Sequence, residues 1–508
     1  MAAPRALVQL TNLSLSFHSL WPPTPGLATA VAVLSAVYLL LYRLQAVKNH
    51  PNEPPIVPSW FPFVGPLLGM VGEGGRHVKS IGLRNRDKPI FTLPVPRSRI
   101  YVVTDPALAA AVQRASKALS FTPLVPDLTA RVLGIDSHAV EVLRQNIDEP
   151  HGFLADMHDM LYTYLGPGEP LNALSLGAAR ELGRQITAHA AQLKAPETVN
   201  LLAWVQHFVT TGTAQYLYGP ENPLAKHPEL EQAFWDFDHG LGRLLLGIVP
   251  ALTARAPYQY LSAGHHETGA STIVQRRVEI AHQHGLSNAA TARSELSFLF
   301  AGIVNTATTT FWAVLQVFAR PELLAAVRAE LPAAVVEDPA TGERRLSMDL
   351  LKGACPTLHA VFRECLRVGS DNYSTRLVKS DTMLAGQWHL KAGSIVQIAG
   401  GVIHADEGIW GANADAFDPT RFLKDGESNK ASEGKVHPAA FRAFGGGKTL
   451  CPGRHFATHE ILAFVAVIVL TFDLETADGA MRIPVPPQED RVLPVHVLEP
   501  RTDVLSQK

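Results

Sequence analysis

The chain has 508 residues, enough for a large core, with 47% apolar and 18% charged side chains and a formal net charge of −2. That balance excludes a basic nucleic-acid surface. Its three cysteines, Cys355, Cys365 and Cys451, are too few for a disulfide framework, show no C-x-x-C zinc spacing, and fit a reducing compartment.

Leu27–Tyr42, LATAVAVLSAVYLLLY, carries no charge. Sixteen residues are short for a membrane span, but Trp21–Pro25 can sit at the interface and extend it to about twenty. Arg43 and Lys48 follow it and only Arg5 precedes it, so the positive-inside rule places the bulk of the chain in the cytoplasm. A signal peptide would need its positive charge before the apolar run and a small-residue cleavage site after it. A buried core helix is the other alternative, but Pro51, Pro54, Pro55, Pro58 and Pro62 follow. Those prolines read as a stiff spacer between an anchor and a folded body.

Beyond Lys88 the pattern predicts two short strands, PIFTLPV and RIYVVTD, and a helix starting at Pro106. Residues 120–150 read as irregular, with Pro123 and Pro126 breaking any helix. Residues 151–194 read as helical, and Leu201–Tyr218 as a strongly apolar helix. The apolar run at 240–252 reads as ordinary core, a channel floor or a surface on lipid. Asn288–Arg320 runs over thirty residues without proline and is apolar around most of its circumference, so it belongs in the middle of the body. Its polar patch is Asn305-Thr306, with Thr308, Thr309 and Thr310 beyond. Hydroxyls there can bond back to carbonyls four residues earlier and open the helix. Pro356–Gly369 is a helix carrying Glu364 and Arg367 among apolar neighbours. A buried pair needs further partners, and Arg421, in FDPTRF, is the natural third. Residues 376–402 alternate as strands. No internal repeat occurs, and the body reads as one domain, mainly α with minor β sheets.

Phe444–Gly453, FGGGKTLCPG, packs three glycines and a Pro-Gly pair around Cys451, and the apolar run after it reads as a helix. Such a loop lets backbone lie flat against a planar ligand, and a helix start favours a thiolate. A lone cysteine is usually a small core residue. The spacing Phe-x-x-Gly-x-x-x-Cys-x-Gly, filled by Phe444, Gly447, Cys451 and Gly453, reverses that reading. It resembles the haem-ligand loop of cytochrome P450 enzymes.

The order of apolar anchor, proline-rich hinge, long helix, Glu-x-x-Arg, Phe-x-Pro-x-Arg-Phe and cysteine loop resembles eukaryotic microsomal cytochromes P450 over nearly the whole chain. AGIVNTATTTFW and GGGKTLCPGRHFATHE are most similar to the branch of bile-acid steroid hydroxylases and prostacyclin synthase, and the style of the chain resembles filamentous-fungal enzymes of secondary metabolism. The resemblance implies the cytochrome P450 fold, with a lumenal segment at 1–26, a transmembrane anchor at 27–42, a hinge at 43–62 and a haem-thiolate catalytic domain at 63–508. It implies haem b with Cys451 as axial thiolate, a structural triad of Glu364, Arg367 and Arg421, Arg376 against a haem propionate, and Thr306 orienting dioxygen.

There are departures from the pattern. Asn305 stands where an acid is usual but can still hold a water, so the resemblance implies proton delivery around Asn305 and Thr306. Thr449 replaces the base two residues before the cysteine, leaving Lys448 as a stand-in. The Trp-x-x-x-Arg pattern of the helix capping the other propionate is missing. His158 lies near that region and reads as a surface residue. The implied activity is monooxygenation of a lipophilic terpenoid, steroid or polyketide at the endoplasmic reticulum membrane. NADPH-cytochrome reductase would supply electrons, with a cytochrome b-type protein as a second donor. A haem-thiolate isomerase or dehydratase of a peroxide, and a non-catalytic haem-binding membrane protein, are the alternatives. Phe121, Leu124, Phe208, Ile303 and Tyr373 are candidate pocket residues.

Overall fold

A computed structural model describes residues 25–245, 269–337, 339, 342, 344–423, 436–490 and 496–501. Residues 1–24 of the expected lumenal segment and 246–252 of the apolar run at 240–252 lie outside the described residues.

The first helix, α1 (Pro25–Gln45), exposes its apolar side chains, with Leu34 68% and Leu39 58% accessible. Thr29–Gln45 of α1 is a shorter apolar helix. Two helices among the described residues, Asn288–Phe318 and Arg454–Thr471, are long and apolar enough to cross a membrane, but each is mostly buried within the protein. Their apolarity is therefore core packing, whereas that of α1 faces outward. The proline-rich stretch after α1 is docked and does not hold the body at a distance. Gln45 exchanges two hydrogen bonds with the Ser59 backbone (2.8 and 3.1 Å). Glu53, 1% exposed, accepts from Arg99 Nε at 3.1 Å and Tyr101 Oη at 3.3 Å.

A five-stranded sheet follows, built from β1 (Ile90–Val95), β2 (Ser98–Val103), β3 (Leu119–Ser120), β4 (Tyr373–Val378) and β5 (Ile395–Ala399), in the order β1-β2-β5-β4-β3. Only the β2–β5 pairing is parallel, and it joins the two ends of the chain. Arg376 sits opposite Val396 in the β4–β5 register.

The region 120–150 is not irregular. Pro123 and Pro126 lie in first turns, the second opening α3 (Val125–Leu133), where a missing N–H costs no hydrogen bond. The same device opens α2 (Pro106–Arg114), capped by Asp105 accepting from Leu108 N at 2.8 Å. Next come α4 (Phe153–Leu165), α5 (Glu169–Gln192), α6 (Leu201–Tyr218) and α7 (Glu229–Leu245).

The centre of the body is α8 (Asn288–Phe318), capped by Ser287 and buried almost continuously from Ile303 onward. It packs against α6, against α9 (Pro356–Gly369) and against α10 (Arg454–Thr471), the helix that leaves the cysteine loop. Ile461, Leu462, Phe464 and Val465 of α10 join Phe311, Trp312 and Val314 of α8 in one apolar cluster. Burying each such side chain contributes about 1.5–3 kcal/mol, which fixes the loop's starting point against the core. Phe208 and Ile303 are buried within this cluster, and Tyr373 Oη donates to Gly75 O.

Candidate active site

The support of the cysteine loop begins with the charges beneath it. Glu364 of α9 is fully buried between Arg367 and Arg421, each 1% exposed. Arg367 donates to both carboxylate oxygens, at 2.6 and 2.8 Å, and Arg421 Nε reaches Oε1 at 3.3 Å. The excess positive charge spreads over the carbonyls of His404, Ala414, Ala416, Trp410 and Asn413. The Asp418 N–H completes the carboxylate at 2.9 Å. This is the saturation that a buried ion cluster needs to offset its desolvation.

The cluster reaches the loop through one histidine. Arg367 donates to the His404 carbonyl at 2.7 Å. The His404 ring pairs with Ser370 O at 3.0 Å and accepts from the Arg442 N–H at 2.8 Å. Burial, then the adjacent Arg367 guanidinium, push its pKa down to about 3, so the ring is neutral and can accept. Arg442 O in turn accepts from Gly445 N at 2.8 Å, and Phe444 O accepts from Cys451 N at 2.9 Å. Gly445 (φ 73°) and Gly447 (φ 61°) take the left-handed conformation that closes the loop. A Cβ on Gly447 would lie 2.9 Å from Gln113 Cβ of α2.

Cys451 is half-buried just before α10. In the polypeptide alone, burial pushes its thiol up, and the N–H groups of Gly453 and Arg454 and the Arg454 charge only partly oppose this. The helix start therefore does not make the thiolate by itself. Gly453 places no side chain near the sulfur, and a Cβ there would stand 3.9 Å from it.

From the other side, α4 presents Tyr162, whose hydroxyl donates to Leu450 O, and His158, whose Nε2 lies 3.3 Å from Lys448 O. His158 is exposed but touches the loop, and Tyr162, four residues on, lies with its ring tilted and 4.5 Å from the His158 ring. An i,i+4 aromatic pair preceding the loop by three hundred residues carries little signal without the fold. The Lys448 side chain is exposed.

On α8, Thr306 is 4% exposed and its hydroxyl makes no hydrogen bond among the described residues, while Thr308 bonds back to Val304 O at 3.1 Å. Asn305 Oδ1 accepts from Val497 N at 2.8 Å, tying the C-terminal segment to the helix. Arg376 is 5% exposed, and its partners are all neutral: Thr375 O at 2.7 Å, Thr449 Oγ1 at 2.5 Å and Gly446 O at 3.5 Å. A buried cation with no carboxylate beside it among the described residues, next to a half-buried cysteine in a glycine loop, fits a ligand that brings both a metal and an anionic edge.

Comparison with known proteins decides the family. The cytochrome P450 family model matches residues 253–500. A cytochrome P450 monooxygenase, nodJ, of Hypoxylon pulicicidum is 32% identical over 472 residues, 88% of each chain. The chain is a cytochrome P450. A cytochrome P450 monooxygenase of Gibberella zeae is 28% identical, covering 84% of this chain and 82% of its own. The 5-beta-cholestane-3-alpha,7-alpha-diol 12-alpha-hydroxylase of Sus scrofa is 26% identical over 96% and 98%. As a P450, the protein has the P450 fold, binds haem b through a cysteine thiolate, and is an oxidoreductase that incorporates molecular oxygen. It requires a reductase as redox partner and a lipophilic substrate.

Proposed function

We propose that Cys451 is the thiolate ligand, that Arg376 holds a haem propionate, and that Thr306 positions the oxygen-side proton donor in a monooxygenase of secondary metabolism. The observation that carries this reading is the loop around Cys451, tied through His404 to a saturated ion cluster, its following helix packed on a central helix where the Thr306 hydroxyl makes no hydrogen bond among the described residues. When bound, the haem supplies dioxygen activation and accepts the reductase's electrons. Phe444 and Gly447 shape the loop beside it, and Gly453 leaves the sulfur uncrowded. Thr306 Oγ1, free of the carbonyl bond that holds Thr308, is available to hold a proton or a water at the reacting oxygen. Asn305 acts by fixing the C-terminal segment, which keeps the helix in place beside Thr306.

The substrate is a terpenoid, steroid or polyketide, a reading that the steroid hydroxylase of Sus scrofa among the relatives supports. The outward apolar face of α1 supports a single-pass anchor at 27–42 in the endoplasmic reticulum membrane, with a lumenal segment at 1–26, a docked hinge at 43–62 and the catalytic domain at 63–508 in the cytoplasm. NADPH-cytochrome reductase, with a cytochrome b-type protein as second donor, supplies electrons there.

The test is turnover in lipid vesicles with NADPH-cytochrome reductase and a panel of terpenoids, steroids and polyketides. Product formed in step with NADPH and oxygen consumption is the expected result, and Thr306→Val should lower product per NADPH several-fold while NADPH consumption continues. Product formed without NADPH would replace this reading with a peroxide isomerase.

A further inference from the structure

Thr449 leaves the position two residues before the cysteine without its usual charge, and the structure assigns a replacement. Arg442 precedes the loop and is 1% exposed, among the most deeply buried large side chains in the protein. Its backbone is fixed on both sides, the N–H by His404 Nε2 and the carbonyl by Gly445 N and Asn372 Nδ2 at 2.7 Å. Among the described residues its guanidinium hydrogen-bonds only neutral groups. Nη2 donates to Ser374 Oγ at 3.0 Å, and the Gln113 amide, with its oxygen turned inward, accepts from both terminal nitrogens. Nε has no hydrogen-bond partner among the described residues.

The guanidinium passes directly under the loop. A Cβ built on Gly446 would lie 2.9 Å from Arg442 Nη1, and Arg376 Nη2 reaches Gly446 O at 3.5 Å from the other side. Two buried guanidiniums thus converge on one glycine, and the Arg376 charge is felt at Arg442. Like charges at low dielectric repel, and each also pays desolvation. No described carboxylate relieves them. An anion at the rim of the loop would.

We propose that Arg442 is a haem-anchoring residue that binds a propionate carboxylate together with Arg376, taking over from the absent base at 449. The inference rests on the haem-thiolate reading above. Gly446 fits the same arrangement, since a Cβ there would clash with the Gln113 amide and meet Arg442 Nη1 at 2.9 Å, and Gln113 acts as a neutral spacer that orients the guanidinium.

The test uses the holoenzyme. Haem transfer to excess apomyoglobin and the reduction potential are measured for the wild type, Arg442→Met, Arg442→Lys and the double variant Arg442→Met/Thr449→Arg. Arg442→Met should lose haem about tenfold faster and show a lower potential, because a positive charge near the haem edge favours the reduced state. Arg442→Lys should fall between, and Thr449→Arg should restore retention in the Met background. Unchanged haem loss and potential in Arg442→Met overturn the proposal. So does misfolding of Arg442→Met that Thr449→Arg does not recover, which would make Arg442 a folding residue. A wild type without a thiolate-type spectrum would instead overturn the underlying reading.

Discussion

Two clusters of buried charge lie on either side of His404, and they differ in one respect. Around Glu364 a single carboxylate sits between two guanidiniums, and the surplus charge goes to backbone carbonyls. Around Gly446 two guanidiniums meet hydroxyls, an amide and carbonyls but no carboxylate among the described residues. The first cluster is complete in the polypeptide and can set the loop before any ligand arrives. The second is left in need of an anion, so haem binding and stability of the loop are linked: a ligand that binds only the folded form raises its stability.

Breaking the complete cluster should have the largest effect. Glu364→Ala leaves Arg367 and Arg421 buried without a counter-charge and should cost about 3–5 kcal/mol, read as loss of soluble holoprotein and an earlier denaturant midpoint. Gly447→Ala tests the loop between the clusters. It forces a left-handed conformation on a side-chain-bearing residue at about 1–2 kcal/mol and drives its Cβ against Gln113 Cβ. The expected outcome is a lower midpoint with weaker haem retention.

The smallest effect concerns the connector. His404 is held neutral in the fold, with its pKa pushed down to about 3, while the unfolded chain titrates near the ordinary histidine value of about 6.5. The unfolded state therefore binds the extra proton first, and the contribution of His404 is present above about pH 6.5 and lost as pH falls from there towards 3, at up to about 1.4 kcal/mol per pH unit. His404→Gln should flatten the acid limb of the stability curve by about 1 kcal/mol between pH 6.5 and 5.5. An unchanged slope would show that the ring titrates normally.

The difference between the clusters also explains what could be read without coordinates. Glu364, Arg367 and Arg421 were legible because spacing puts the first two one helical turn apart among apolar residues, and a buried pair implies a third partner. The helices Leu201–Tyr218 and Pro356–Gly369 were legible for similar reasons of periodicity and capping. Pro123 and Pro126 misled because a proline stops a helix in its interior but starts one in its first turn. Arg442 was not legible: a charge flanked by Phe441 and Ala443 looks like a surface residue until the sheet and α2 close over it. The single hint was local, an arginine two residues before the loop in a chain lacking the usual base at 449. Tyr162 and Asn305 likewise owe their roles to partners about 290 and 190 residues away.

The central assignment is Cys451 as the thiolate that binds haem iron. The direct measurement is the carbon-monoxide difference spectrum of the reduced holoenzyme, beside that of Cys451→His. The structure predicts the red-shifted, thiolate-type Soret band in the wild type and its loss in Cys451→His. A wild type that binds haem but lacks that shift, or a Cys451→His variant that keeps it, would contradict the assignment.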